Sequence, residues 1–223
     1  MRAFLAILGV MVAAMAVAIM IAFVRPNNST PERPPETYNP PPAQPAAKMM
    51  DPKEAAKGAL RADLQIEGRG LIVLELYPAA APKTVAHFVD LCSKHFYDGI
   101  LVHRVESNPE FKLFQAGDPT SKSVKPEQLR GKTNQEVTSE FQLGSHGSGA
   151  TVPLEARLPN SANTLGLARS QAEDSGDSQF YVNLSDNHEL DGKYCVFGRV
   201  VTGQDVAASV QIGDRIQRLA LEK

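Results

Sequence analysis

The residues best suited to chemistry fall into three groups. His87, Cys92, His95 and His103 carry metal-ligating atoms, but their separations of five, three and eight fit no common zinc pattern. Five positions on a helix also turn a side chain by about 140°, off its neighbour's stripe. They read as a buried thiol and helix-surface imidazoles, and no metal is expected. Ser145, Ser148, Ser175 and Ser178 lie in GSHGSG and DSGDS. Neither segment forms the G-x-S-x-G elbow of a nucleophilic serine, and no Gly-Lys-Ser/Thr follows Gly147 or Gly149 to make a phosphate loop. Both read as loops. The third group is Arg104, in an apolar strand with Ile100, Leu101, Val102 and Val105, together with Gln115 and the aromatic run around Phe180. Taken alone, Arg104 reads as an edge-strand arginine in a salt bridge.

The elements that must position these residues are short. DLQIE, GRG and LIVLELY (63–77) form a hairpin pattern, and KLFQAG, TLGLAR, QFYVNL, YCVFGRVV and RIQRLALE are further strands. Pro82 opens a helix in which Val85, Phe88, Val89, Cys92 and Phe96 recur at helical spacing, with Asp98-Gly99 as its stop. A second helix is expected from Gln204 to before Gly213. Many strands with two helices argue a mostly β domain over 57–223.

The chain has 223 residues, 43% hydrophobic and 22% charged, with a net charge of -2. That suits one domain with appendages and argues against a general nucleic-acid binder. Cys92 and Cys195 are too few for a disulfide framework and are expected as two buried thiols. Residues 3–24 are an unbroken apolar run, about the length that spans a bilayer as a helix, so 1–24 is expected to be an uncleaved single-pass anchor. Residues 25–56 follow as a disordered Pro-rich linker. Eight of the twenty residues at 26–45 are proline, which favours extended polyproline II: a spacer, a ligand for a proline-recognition module, or a substrate for the chain's own domain. Arginines flank both ends of the apolar run, so the positive-inside rule nearly ties. The expected placement is an anchored domain outside the cytoplasm, in the periplasm.

VHRV (102–105), FQAGD (114–118), LAR (167–169), SQFY (178–181) and LDGKYCVFG (190–198), in that order, resemble the cyclophilin family of peptidyl-prolyl cis-trans isomerases, in bacterial-like form, over roughly 64–222. The resemblance implies a closed antiparallel β-barrel capped by two α-helices and isomerisation of X-Pro bonds in protein substrates without a cofactor. It assigns Arg104 and Gln115 as catalytic. It assigns Phe111, Leu113, Ala168, Arg169, Gln179, Tyr181, Leu190 and Tyr194 as substrate-binding. The implied partners are proline-containing polypeptides, with the membrane reached through the N-terminal helix, no nucleic acid and a monomeric catalytic domain. The activity would assist folding at the membrane surface. The alternative is a low-turnover proline-peptide binding or chaperone module on the same fold.

The sequence departs from the family in places. The eleven-residue step from Arg104 to Gln115 is longer than usual, so the pocket phenylalanine is Phe111 or gives way to Lys112; Phe111 is chosen because a proline ring needs an apolar wall. Glu189 stands where many members have a tryptophan that helps bind cyclosporin, so weak cyclosporin affinity is expected. Tyr194 stands where others have histidine. Residues 144–157 look like an inserted, solvated loop.

Overall fold

The protein is described by a computed structural model covering residues 48–222. Ahead of the sheet, Pro52–Ala55 (α1) forms one helical turn. Leu60–Ile66 (β1) and Gly70–Leu76 (β2) show how the sheet arises. Ala62, Leu64, Ile66, Ile72, Leu74 and Leu76 alternate with more exposed residues, and all six are fully buried. Pro82–Ser93 (α2) follows. Its proline pre-sets the first turn, and Val85, Phe88, Leu91 and Cys92 face the sheet. The helix ends earlier than Asp98-Gly99, where His95 adopts a left-handed φ of 55°.

Arg104–Asn108 (β3) and Phe111–Ala116 (β4) form a hairpin, and the extra residues between Arg104 and Gln115 lengthen its two arms. Next come Pro126–Leu129 (α3) and Asn134–Phe141 (α4). Thr164–Leu167 (β5), Phe180–Asn183 (β6), Val196–Thr202 (β7), Gln204–Ser209 (α5) and Ile216–Leu221 (β8) complete the unit. The eight strands run β3-β4-β6-β5-β7-β2-β1-β8, every ladder antiparallel.

The sheet curls until its edges meet, but the expected full closure is corrected in one respect. No ladder joins β3 to β8. The strand expected from Ile100 begins only at Arg104, and the residues ahead of it stitch the edges to the start of β8: Leu101 bridges Arg215, and Val102 N to Asp214 O and Ile216 N to Ile100 O are each 2.8 Å. Phe88, Tyr97, Phe180 and Phe197 fill the centre, with the Phe88 and Phe197 rings 5.0 Å apart.

The two expected helices, α2 and α5, pack on β8 and β2. The expectation missed α1, α3 and α4. Thr133 caps α4 in a reciprocal box with Glu136, and Val137 packs with Leu101, Leu129 and Leu143 in a separate small core. Residues 144–157 are not a free loop. Val152 bridges Gly176, and Glu155 accepts from Thr84 N and Oγ1 at 2.9 Å. The compact unit also begins before the expected boundary at 57. Ala55 is buried with Tyr77, Ala80, Leu158 and Val196, and Met50 N donates to Arg157 O at 2.8 Å. The expected anchor at 1–24 and the linker as far as residue 47 lie outside the described residues. Among the described residues, no helix is long and apolar enough to cross a membrane.

Candidate active site

Strand register builds the site. Arg104 pairs with Gln115, Gln115 with Tyr181, and Tyr181 with Gly166, giving one row across β3, β4, β6 and β5. The alternate positions Phe114, Ala116, Phe180 and Val182 are fully buried in the core, so the row lies on the outer face. Glu106, Leu113 and Asn183 form the next row.

The polar side chains connect in sequence. Arg104 Nη1 donates to Gln115 Oε1 at 3.3 Å. Gln115 Nε2 donates to Gln179 Oε1, and Gln179 Nε2 to the carbonyl of His146, both at 2.8 Å. Arg104 is also an edge-strand arginine in a salt bridge, as its own sequence context suggests: Nε meets Glu106 Oε1 at 3.0 Å. The arginine remains 42% exposed, accessible to a ligand on this face.

Leu113 and Tyr181 are each 3% exposed and form a floor. A methyl group at residue 166 would fall inside the Tyr181 ring, so the bare Gly166 backbone is what lets that ring lie against β5. Tyr181 Oη donates to Asn160 Oδ1 at 2.7 Å. Tyr194 meets Tyr181 edge-on, and the Arg169 guanidinium stacks 4.8 Å from the Tyr194 ring. Leu190 closes a short 3₁₀ turn whose carbonyl accepts from Tyr194 N. Ala168 N donates to Gln179 O at 2.9 Å, which brings Ala168 and Arg169 beside the glutamines.

A cleft of about 420 Å³ borders this group, lined by Gln115, His146, Ala168, Arg169, Asp177 and Gln179 among others. Asp118 fixes its wall: the carboxylate accepts from Gly144 N at 2.7 Å, His146 N at 3.2 Å and Thr120 N at 2.9 Å. Burial pushes its pKa up, but these donors outweigh that and hold it below the usual aspartate value. His103, beside Arg104, is 3% exposed, and neither ring nitrogen meets a hydrogen-bond partner. Burial, only partly offset by the nearby Asp118 charge, lowers its pKa to about 4. An apolar hollow of about 370 Å³ lies elsewhere, against α1, Tyr77 and Arg199, and contains none of the expected site residues.

Arg104, Gln115, Leu113, Ala168, Arg169, Gln179, Tyr181 and Tyr194 thus gather around one face, and Leu190 lies in the turn that leads to Tyr194. Phe111 sits four residues along β4 from Gln115, about 13 Å away, on the Leu113 side of the alternation, with Lys112 on the other. Sequence reasoning missed Glu106, Asp118 and the buried asparagines. Asn160, Asn183 and Asn187 are fully buried, and Asn187 Nδ2 donates to Asn183 Oδ1 at 2.7 Å and to Lys112 O at 3.1 Å. The available signal was an asparagine within a wholly buried apolar strand. Cys92 and Cys195 are buried and unpaired, and burial pushes each thiol up to about 12. His95 lies at the surface against Asp98, and His87 beside Asp177.

The family model described as cyclophilin type peptidyl-prolyl cis-trans isomerase/CLD matches residues 61–220. A peptidyl-prolyl cis-trans isomerase of Schizosaccharomyces pombe is 35% identical over 138 residues, covering 61% of this chain and 76% of that protein. Peptidyl-prolyl cis-trans isomerase B of Bacillus subtilis is 31% identical over 160 residues, covering 70% and 94%. Among solved structures, a cyclophilin type isomerase of Cryptosporidium parvum superposes with a TM-score of 0.58 at 18% identity, covering 74% of this chain and 98% of that one. The same protein, solved in the presence of the dipeptide Ala-Pro, gives 0.57 at 19% identity, covering 73% and 99%. The match over most of the described residues, on a curled eight-stranded sheet, establishes that this chain belongs to the cyclophilin-type peptidyl-prolyl cis-trans isomerases.

Proposed function

We propose that the outer face of β3, β4 and β6 is the isomerase site, with Arg104 as its catalytic group and X-Pro bonds of extended polypeptides as its substrate. The observation that carries this is the Arg104–Gln115–Gln179 relay above a Leu113–Tyr181 floor. The Ala-Pro dipeptide present with the Cryptosporidium structure supports a proline-containing ligand.

Rotation about a peptide bond faces a barrier of about 18–20 kcal/mol because resonance gives the bond double-bond character. A catalyst must therefore bind the twisted amide better than either planar isomer. Twisting localises the nitrogen lone pair and makes that nitrogen an acceptor. Arg104 donates there or to the proline carbonyl. A hydrogen bond to a charged group contributes about 1.5–3 kcal/mol, or roughly ten- to a hundredfold in rate. Gln115 orients Arg104 or holds the substrate backbone, while Leu113, Tyr181 and Leu190 receive the proline ring, with Phe111 extending the apolar wall. Ala168, Arg169, Gln179 and Tyr194 line the extended peptide.

The test is isomerase exchange on a peptide with one X-Pro bond, followed by NMR. Catalysed exchange that falls at least about tenfold in Arg104→Ala, with modest loss of binding, is the expected result. The Glu106 ion pair, which partly neutralises the guanidinium, favours a second reading as a low-turnover binding or chaperone module. In that case Arg104→Ala changes affinity alone.

Single-pass anchoring through 1–24, a bacterial-type unit, a periplasmic position and folding assistance at the membrane surface belong to the same proposal. The apolar run at 3–24 supports the anchor, and the Bacillus subtilis relative supports the bacterial type. A monomeric catalytic unit is supported by a site assembled from strands of one chain.

A further inference from the structure

Glu106 stands one row from Arg104 on the same face, and the isomerase chemistry above gives it no part. Its Oε1 accepts from Arg104 Nε at 3.0 Å and from Asn134 Nδ2 at 3.2 Å. Asn134 is itself clamped to β3: its Oδ1 accepts from Val105 N and its Nδ2 donates to Val105 O, both at 3.0 Å. It is the first residue of α4, which is held by the Thr133–Glu136 capping box outside and Val137 inside.

A guanidinium has five N–H donors. Glu106 takes the Nε donor and Gln115 takes one on Nη1. Three remain, on Nη1 and Nη2. The side chain is 42% exposed, so without these two clamps its long stem would sample several rotamers. With them, the unclamped donors keep one direction, and a twisted amide meets a preorganised partner.

We infer that Glu106, held by Asn134 of α4, is the positioning residue that aims the free N–H donors of Arg104 at the substrate amide. This rests on the reading of Arg104 as the catalytic group. The carboxylate has a second, opposing effect: it screens part of the arginine's charge. Positioning and screening differ in sign, because losing the first slows the reaction and losing the second speeds it.

The experiment measures kcat and KM of the full-length chain on an X-Pro peptide by NMR exchange, alongside its thermal unfolding midpoint. The variants are Glu106→Ala, Glu106→Gln, Asn134→Ala, Arg104→Ala and the Glu106→Ala/Arg104→Ala pair. Positioning predicts that Glu106→Ala lowers kcat by roughly tenfold with little change in KM. Glu106→Gln retains an acceptor oxygen and recovers most of that loss. Asn134→Ala loses roughly threefold. The double variant is no slower than Arg104→Ala, because Glu106 acts through the arginine. A faster or unchanged Glu106→Ala beside a crippled Arg104→Ala overturns the inference and leaves the site assignment standing. Additive losses in the double variant, or equal losses in the alanine and glutamine variants, also overturn it. Full activity in Arg104→Ala removes the site assignment itself and the inference with it. If Glu106→Ala does not fold, Glu106→Gln and Asn134→Ala carry the test: the first must stay close to the parent and the second must slow with its unfolding midpoint preserved.

Discussion

No side chain changes protonation when a peptide twists past Arg104, so the rate should vary little between about pH 6 and 8; a steep bell-shaped profile would point to acid–base catalysis instead. Stability should behave differently, because of His103. An unfolded histidine takes up its proton near 6.5, whereas in the fold His103 does so only at about 4. Between those values the unfolded chain binds the extra proton, so stability is lost as pH falls through that window. From pH 7 to pH 5 the loss is about 2 kcal/mol, read as a drop in the urea midpoint. His103→Gln, which cannot titrate, should flatten that dependence. An unchanged slope in the variant would mean that other groups set it. The Asp118 carboxylate, held below its usual value, keeps its own effect to still lower pH.

At the scale of elements, the site depends on close approach and on loop anchors. Gly166 lies under the Tyr181 ring. Gly166→Ala should destabilise the fold by about 1–3 kcal/mol and lower kcat/KM, since ring and strand must part. Calorimetry with the exchange assay checks both; wild-type values would show that β5 gives way without cost. Asp118 ties Gly144 and His146 beside Gln179. Asp118→Asn leaves the shape but replaces charge-assisted acceptance, and should raise KM more than it lowers kcat while the 144–149 wall loosens, seen as faster amide exchange there.

For the whole molecule, the unit that folds begins earlier than its strands. Ala55 and Met50 seal the cluster of Tyr77, Leu158 and Val196. A fragment starting at Lys48 should keep the parent's unfolding midpoint and isomerase rate. One starting at Lys57 should lose stability by about 1–3 kcal/mol, the scale of one or two buried apolar side chains. Equal midpoints for the two would show α1 to be ornamental to folding. Glu189 is exposed beside Leu190, at the position where the sequence resemblance expects a tryptophan that helps bind cyclosporin, so binding should be weak, and a submicromolar Kd would contradict it.

Short apolar runs, helical spacing and punctuating Pro and Gly residues located β1, β2 and β4 to β8, as well as α2 and α5, because these signals are written in neighbouring residues. The ordered motifs VHRV, FQAGD, SQFY and LDGKYCVFG indicated the family and the residues to watch. What neighbouring residues do not encode is register. Whether Arg104 faces Gln115, whether the shared face of Phe111, Leu113 and Gln115 turns outward, and whether Glu106 reaches the guanidinium all depend on how the β3–β4 hairpin pairs, since a slip of one residue reverses every face. The loops were equally closed to sequence reasoning. Residues 144–157 read as solvated because Gly and Ser dominate their start, yet Asp118 and Asp177, distant in the chain, hold that start to the body. The sequence by itself determined most of the strands, two of the helices and the family, through local patterns. Only the tertiary structure decided which polar atoms meet, because hydrogen bonds between distant segments exist only once the sheet has curled.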